Sequence, residues 1–232
     1  IKNGLVMFNK FTTAGLSFPV QGSAAFNGTS DFIQTDDPFS YTNHTIAAWV
    51  YANDTTGLKS IFDNRDTSND GVIFCSFTNE QILYQVNGVN QFSAVYPNEW
   101  IFAVGTNDGT TQKLYINGSL SNSTSNTTSV SSTTNARIGK ESVVGATGFF
   151  KGNLANVAIW NRALTSDEIN SVMWKPVQAL TATESNGLQA WYSLDDIASP
   201  TASLASMEQL ATDKDATIEN KAAITAAINS LS

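Results

Sequence analysis

The chain has few of the residue types that build disulfides or catalytic triads. Its 232 residues include one cysteine and one histidine. A single cysteine excludes an intrachain disulfide, and its position in the apolar run GVIFCSF predicts that Cys75 is a buried, unreactive thiol. With one histidine, His44, and no nucleophile elbow, triad chemistry is not expected. We expect His44 to be a hydrogen-bonded surface or capping residue.

Charge and long apolar runs are also scarce. Charged residues make up 14% of the chain, and 20 acids against 12 bases give a net charge of −8. Because no basic patch is present to neutralise phosphates, a nucleic-acid partner is not expected. No apolar run is long enough to cross a bilayer, so we expect no membrane span.

The sequence does contain short alternating runs separated by turns. In TIAAWVYA (45–52), Ile46, Ala48 and Val50 fall on one face and the aromatic residues on the other. Asn-Gly pairs at 87–88 and 117–118 predict hairpin turns. Regular short strands of this kind predict an antiparallel sandwich. The low-complexity stretch 119–135 is interpreted as a polar edge strand and loop.

One helix is predicted, over residues 166–174. Thr165 and Glu168 have the spacing of a capping box, and acidic residues in the first turn favour the helix dipole. Pro176 ends the helical run. Arg162 is a candidate ion-pair partner for Glu168.

Five motifs occur in the order of a known family. They are AAFNGTSDFIQT (24–35), HTIAAWVYA (44–52), NEWIFAVGTNDGTTQKLYINGSL (98–120), ARIGK (136–140) and FFKGNLANVAIWNRALTSDEI (149–169). Together they resemble the laminin-G-like, concanavalin-A-like lectin/glucanase jelly-roll family over residues 24–174. The resemblance implies an all-β fold, an antiparallel jelly-roll β-sandwich with one short helix and a C-terminal extension.

The sequence predicts a boundary between two parts of the chain at residue 176. Residues 1–176 are predicted to form the sandwich, and residues 177–232 an extension with a partial repeat and a possible short helix. The segment NGLQAWYSLDD (186–196) is similar to NGLVMFNKF (3–11), which resembles the family's first strand. We expect the extension to dock on its own sandwich or on a neighbouring subunit.

The family includes glycoside hydrolases, whose members of this fold carry an E-x-D-x-E strand. No such run is present, and the adjacent pairs at 36–37 and 195–196 would point to opposite faces of a strand. An enzyme is therefore not expected. The aromatic residues Trp49, Trp100 and Trp160 are predicted to lie in the core, as the resemblance implies.

Two groups of residues are candidates for binding. The loop DNRDTSND (63–70) offers Asp63, Asn64, Arg65 and Asp66 as ligand-binding residues, because loops commonly carry function; a solvated hairpin loop is the alternative. The resemblance also implies calcium (Ca2+) as a possible cofactor. Alanine replaces the usual acid of the closing strand, which leaves Asp31 and Asn156 as the candidate metal ligands.

We therefore predict a non-catalytic surface module for binding or attachment, extracellular or on a virion or bacterial surface. Its expected partners are a glycan or a cell or virion surface, together with neighbouring protein subunits. The alternative is a structural virion protein, such as a capsid decoration or a fibre, that acts through subunit contacts. A glycoside hydrolase is disfavoured by the missing carboxylate pattern.

Overall fold

The computed structural model describes residues 22–77, 80–143 and 145–194. These residues form the strands β1 Ala24–Asn27, β2 Ile33–Gln34, β3 Asn43–Ala52, β4 Lys59–Asp63, β5 Val72–Phe77, β6 Gln81–Val86, β7 Val89–Ala94, β8 Trp100–Asp108, β9 Thr111–Ile116, β10 Ser119–Ser125, β11 Arg137–Ile138, β12 Lys151–Trp160 and β13 Leu188–Tyr192. Between β12 and β13 lie the helix α1 Ser166–Val172, a 3-10 turn Val177–Ala179 and the short helix α2 Ala182–Ser185.

The strands form two antiparallel sheets. Sheet A has the order β1-β12-β3-β8-β9-β10, with β13 also paired to β12, and sheet B has the order β2-β11-β4-β5-β6-β7. Strands distant in sequence are neighbours, as where β12 lies between β1 and β3. The all-β, antiparallel jelly-roll sandwich expected from the sequence is confirmed.

The main core lies between the sheets. Ile46, Ala48 and Val50 of β3 point into it, as their alternation predicts, and residues of sheet B such as Phe74 and Tyr84 meet them from the other side. Within the core, Gly105 of β8 packs under the Tyr84 ring, where an added Cβ would lie 2.5 Å from a ring carbon. The close packing of the sheets at this point therefore depends on the absence of a side chain.

The outer face of sheet A is covered by the segment that contains α1. Trp49, Trp160 and Trp191 form a second buried cluster with Ile169 and Val172 of the helix. Trp49 and Trp160 are thus core residues, as predicted, while Trp100 is partly buried at the edge of this cluster.

The predicted helix cap is confirmed. The Glu168 N–H donates to the Thr165 hydroxyl and the Thr165 N–H donates to the Glu168 carboxylate, at 3.2 and 2.8 Å. The helix ends at Val172, two residues earlier than expected. The Met173 N–H still bonds four residues back, but those of Trp174 and Lys175 bond three residues back, so the last turn tightens before the proline.

The segment after residue 176 contributes a strand to sheet A. The strand β13 pairs with the C-terminal half of β12, and β1 pairs with its N-terminal half, so the two share one edge of β12. Tyr192 enters the main core while Trp191 joins the outer cluster. The expected strand near 3–11, the tail beyond 194 and its possible helix lie outside the described residues, so the division of the chain at 176 stays a prediction.

Among the described residues, no helix has the length and apolarity that a membrane span requires. The low-complexity stretch supplies the exposed edge strand β10, followed by a loop, as expected. Its first loop residue, Asn126, is buried and donates to the Gln112 side chain at 2.8 Å, which holds the loop to the sandwich.

Candidate functional site

Polar side chains cross the outer face of sheet B, which is the face opposite the main core. The strand register aligns one residue from each of the six strands on this face: Gln34, Arg137, Asp63, Ile73, Gln85 and Asn90. We refer to the five polar members, Gln34, Arg137, Asp63, Gln85 and Asn90, as the polar row. Together with Ile73, it spans the six strands of the sheet.

Arg65 connects the two halves of the polar row. Its guanidinium bonds to both carboxylate oxygens of Asp63, with Nε to Oδ1 at 3.1 Å and Nη2 to Oδ2 at 2.9 Å. Nη1 reaches Gln85 Oε1 at 3.4 Å and Asn69 Oδ1 at 3.1 Å. Burial acts to lower the pKa of Arg65, but the hydrogen bonds and charge of Asp63 raise it above its usual value. The guanidinium therefore stays charged and holds these side chains in fixed positions.

A loop between β11 and β12 crosses beside this arginine. Glu141 of the loop accepts from Arg65 Nη2 at 3.3 Å and from the Gly148 N–H at 3.0 Å. The Ser142 hydroxyl lies 3.0 Å from Asp63 Oδ1 and 2.6 Å from the Arg65 carbonyl oxygen. Two loops that are far apart in sequence are thus joined over the sheet by one ion-pair network.

The four loop residues selected from the sequence do converge here, but three of them are buried. Asp63 and Asn64 are fully buried and Arg65 is 8% exposed. The Asn64 amide donates to the Pro38 carbonyl at 2.7 Å and accepts from the Val72 N–H at 2.6 Å, so it fixes the base of the loop. Direct ligand contact by these three residues stays a prediction, and their observed partners belong to the protein.

Asp66 has a different role at the tip of the loop. Its Oδ1 accepts from the Ser68 hydroxyl and N–H and from the Asp70 N–H, at 2.7, 2.8 and 3.0 Å. The hydrogen bond from the Ser68 side chain is the main reason that the pKa of Asp66 is lowered. The carboxylate therefore shapes an Asx turn, and its contact with a ligand also stays a prediction.

At the β2–β11 end, the polar row adjoins two aromatic rings. Phe32 and Phe149 meet edge to face with ring centroids 6.4 Å apart. The Lys140 ammonium lies 5.0 Å from the Phe32 centroid and 4.6 Å from that of Phe149, and the Arg137 guanidinium carbon lies 5.7 Å from Phe32. We refer to Phe32, Arg137, Lys140 and Phe149 as the basic aromatic corner. All four are partly exposed.

An apolar patch occupies the other part of this face. Ile73, Cys75 and Leu83 are buried there, with Leu58 and Phe92 partly buried around them. Cys75 is inert, as predicted, because burial raises the pKa of its thiol well above the usual range, although the charge of Arg65 acts in the opposite direction.

The histidine lies elsewhere and is not on the surface. His44 is 2% exposed, which corrects the expectation of a surface or capping residue. Its Nδ1–H donates to the Tyr41 carbonyl at 2.7 Å, and its Nε2 accepts from the Tyr84 hydroxyl at 2.6 Å. Burial lowers the pKa of His44 to about 4, while the bonds to the backbone carbonyls of Tyr41 and Thr42 act in the opposite direction. The neutral imidazole is thus a core hydrogen-bonding group.

The two candidate calcium ligands have separate partners. Asp31 accepts from the Asn27 N–H at 3.0 Å, next to the turn that follows β1. Asn156 lies in an irregularity of β12 at φ 48° and accepts from Trp191 Nε1 at 3.2 Å. These contacts do not supply a ligand set shared by the two residues. Among the described residues, no group of three or more His, Cys, Asp or Glu side chains is suited to a metal ion. Calcium binding stays a prediction.

Sequence reasoning missed most of the exposed members of this face. Gln85 and Asn90 could have been found, because the Asn-Gly turn at 87–88 sets their hairpin register, in which they lie opposite each other. Gln34 and Arg137 are more than 100 positions apart, and no local pattern indicates that they pair.

Solved structures with the same fold include several carbohydrate-binding domains. A candidate carbohydrate-binding protein from Bacteroides ovatus superposes with a TM-score of 0.63 at 16% identity, over 77% of this chain and 52% of that one. Domain 4 of an extracellular arabinanase from Geobacillus stearothermophilus, in complex with arabinotriose, gives 0.53 at 18% identity, over 65% and 75%. The carbohydrate-binding module of the Ruminococcus gnavus IT-sialidase, bound to α2,3-sialyllactose, gives 0.53 at 12% identity, over 66% and 96%.

These likenesses establish the fold, and the chain spans about half the length of the Bacteroides protein. No curated protein matches the chain. Residues 27–170 match the family model described as the Concanavalin A-like lectin/glucanases superfamily. Since this match covers more than half of the sequence, the chain belongs to that superfamily.

Proposed function

We propose that the protein is a non-catalytic glycan-binding module that binds its ligand on the outer face of sheet B. The observation that carries the proposal is the polar row, whose two halves Arg65 connects through Asp63 and Gln85. The fold of the carbohydrate-binding neighbours supports it, although fold alone does not determine a ligand.

The chemistry of the row is suited to sugar hydroxyl groups. Gln34, Gln85 and Asn90 carry amides, each able to donate and to accept. Gln85 Nε2 donates to Asn90 Oδ1 at 2.6 Å, and Gln34 Oε1 accepts from Arg137 Nε at 2.8 Å. Because these contacts fix the side chains before a ligand arrives, binding costs less conformational entropy.

The carboxylates near the row are poorly placed for hydrolysis. Asp63 and Glu141 both bond to Arg65 Nη2, at 2.9 and 3.3 Å, so the arginine occupies the space between them. A glycosidase needs one carboxyl as an acid and the other free to meet the sugar or a water molecule. Asp63 is fully buried and accepts from the guanidinium on both oxygens, which supports a structural role for the pair.

An extracellular location accords with a glycan ligand. Attachment to a virion or bacterial surface, and the alternative of a structural virion protein acting through subunit contacts, remain predictions that a measurement of mass in solution addresses. Calcium dependence is likewise a prediction.

A glycan-array screen with matched variants tests the proposal. Asn90 and Asn53 are both exposed, and each side chain makes one amide-to-amide hydrogen bond, to Gln85 and to Asn98 respectively. The substitution Asn90→Ala should weaken binding by about tenfold or more, whereas Asn53→Ala, at the end of a sheet A strand, should leave it unchanged.

The array should be run with calcium and with a chelator, and both variants checked for an unchanged melting temperature. Absence of binding to every glycan, or equal binding by wild type, Asn90→Ala and a second variant Gln85→Ala, would contradict the proposal. Loss of binding only in chelator would add a calcium site to it.

A further inference from the structure

The basic aromatic corner carries two positive charges that no carboxylate of the described residues pairs with. Four described cations, Lys59, Arg65, Arg162 and Lys175, have a carboxylate within 4.0 Å. Arg137 and Lys140 have none among residues 22–77, 80–143 and 145–194. Lys113 and Lys151 also lack such a partner, but only Arg137 and Lys140 of the described cations lie within 6 Å of one aromatic ring, where an anion could contact both.

The two cations also repel each other. Burial lowers the pKa of Lys140, and the charge of Arg137 lowers it further. Both lie within 6 Å of the Phe32 ring, so the protein holds them close together. The ring faces give some compensation, since cation–π contacts at exposed sites contribute about 0.5–1 kcal/mol.

The Arg137 guanidinium makes hydrogen bonds to described residues through Nε and Nη1 but not through Nη2. Nε donates to Gln34 Oε1 at 2.8 Å and Nη1 donates to the Glu141 carbonyl at 2.9 Å. Nη2 has no hydrogen-bond partner among the described residues. The planar group is therefore fixed by two bonds, and its remaining donors are available to a ligand.

The two phenylalanine rings form an apolar surface, which a simple anion would not need for binding. Phe32 and Phe149 are partly exposed and adjoin the polar row through Arg137. An apolar wall beside two cations and several amides suits a molecule with a C–H face, a negative charge and hydroxyl groups. A sugar acid combines all three.

We propose that the basic aromatic corner binds the carboxylate of an acidic sugar, with the sugar ring against Phe32 and Phe149 and its hydroxyl groups toward the polar row. The inference rests on the proposed function and specifies the ligand class for the same face. The carboxylate pairs with the Lys140 ammonium and with Nη2 of Arg137, which are donor groups on separate side chains.

Calorimetric titration of the full chain tests this specificity. The probes are tri-galacturonate, a glucuronate-containing hyaluronan tetrasaccharide and 6-sulfated lactose, with methyl-esterified tri-galacturonate and lactose as neutral counterparts. At least one uronate should bind, about tenfold or more tighter than the neutral probes. Binding should weaken as salt is raised, because the contact is an exposed ion pair.

The variant Lys140→Met keeps an apolar chain beside the rings and removes the charge. It should abolish the preference for the acidic probe while Lys113→Met, the same change on β9 of sheet A, should retain it. A second variant, Arg137→Gln, should lower uronate affinity as well.

Each other outcome rejects the inference in a recognisable way. Equal affinity for acidic and neutral sugars would reject it and leave the proposed function intact. Tighter binding of the sulfated probe would reject a carboxylate ligand. A lower melting temperature with unchanged selectivity in Lys140→Met would show that the cluster is structural. If no glycan binds on the array or in solution, both proposals fail.

Discussion

At the scale of single residues, His44 and Tyr84 join the two sheets through a hydrogen bond inside the core. His44 is on β3 of sheet A and Tyr84 is on β6 of sheet B, with the hydroxyl 2.6 Å from Nε2. The imidazole must be neutral to accept this bond while Nδ1–H donates to the backbone. The connection between the sheets therefore depends on pH.

The free energy of unfolding should fall as the pH is lowered through the range from 6.5 to 4. The pKa of His44 is about 4 in the folded protein, below its ordinary value of 6.5, so the unfolded chain binds the proton first. The loss should approach about 3 kcal/mol and add nothing further below pH 4. Urea unfolding at a series of pH values measures it.

The substitution His44→Gln should flatten this slope, because glutamine can donate and accept without titrating. Subtracting the two pH profiles separates the histidine from carboxylates such as Glu184. Burial acts to raise the pKa of Glu184, but hydrogen bonds, of which the one from Lys175 has the largest effect, lower it to about 2. This group therefore weakens the fold only as pH falls from 4.5 toward 2. An equal slope in wild type and variant between pH 6.5 and 4.5 would contradict the role given to His44.

At the scale of elements, the start of α1 is held from two directions. Arg162 pairs with Glu168 through two bonds, Nη1 to Oε2 at 2.9 Å and Nη2 to Oε1 at 2.7 Å, which confirms the predicted partner. The same arginine donates to the Thr183 and Asn186 carbonyls, both at 2.7 Å. The helix cap is thereby tied to the segment that leads into β13.

The substitution Thr165→Ala should destabilise the protein by about 1 kcal/mol, because the Glu168 N–H loses its acceptor. For a chain of this size the melting temperature should fall by about 2–4 °C. Thr165→Ser keeps the hydroxyl and is the control, with little change expected. Thermal unfolding followed by circular dichroism measures both, and equal losses in the two variants would exclude the cap as the cause.

At the scale of the whole molecule, β13 completes the sandwich. It fills the edge of β12 beyond β1, and Trp191 packs edge to face on Trp160 with centroids 6.1 Å apart. Removing it would take Tyr192 out of the main core and Leu188 out of the outer cluster, and would expose the residues that they contact. The stability of sheet A should therefore depend on residues that follow the helix.

Shortening the chain tests this dependence. A chain ending at residue 176 should lose cooperative unfolding and bind a hydrophobic dye, whereas the full chain should unfold in one cooperative transition. A 1–176 chain as stable as the longer one would contradict the prediction. It would also indicate that residues 3–11, which are similar in sequence to β13, can take its place.

The sequence by itself determined the features that depend on neighbouring residues. The capping box of α1, the hairpin turns at Asn87-Gly88 and Asn117-Gly118 and the alternation in β3 each depend on a few consecutive side chains. Five motifs in the order of a known family were enough to predict the jelly-roll fold as well. Turn geometry, helix capping and hydrophobic alternation depend on interactions between residues that are close in the chain, so a single sequence is enough to predict them.

Only the tertiary structure decided which polar loop residues are buried and which distant residues meet. The sequence placed Asp63, Asn64 and Arg65 in a polar loop, but pairing with β11 and contacts with the loop between β11 and β12 buried them. The packing of the chain also brought together the four residues of the basic aromatic corner, Phe32, Arg137, Lys140 and Phe149. Strand pairing in a jelly roll joins segments about a hundred residues apart, and such contacts depend on the packing of the whole chain rather than on any local pattern.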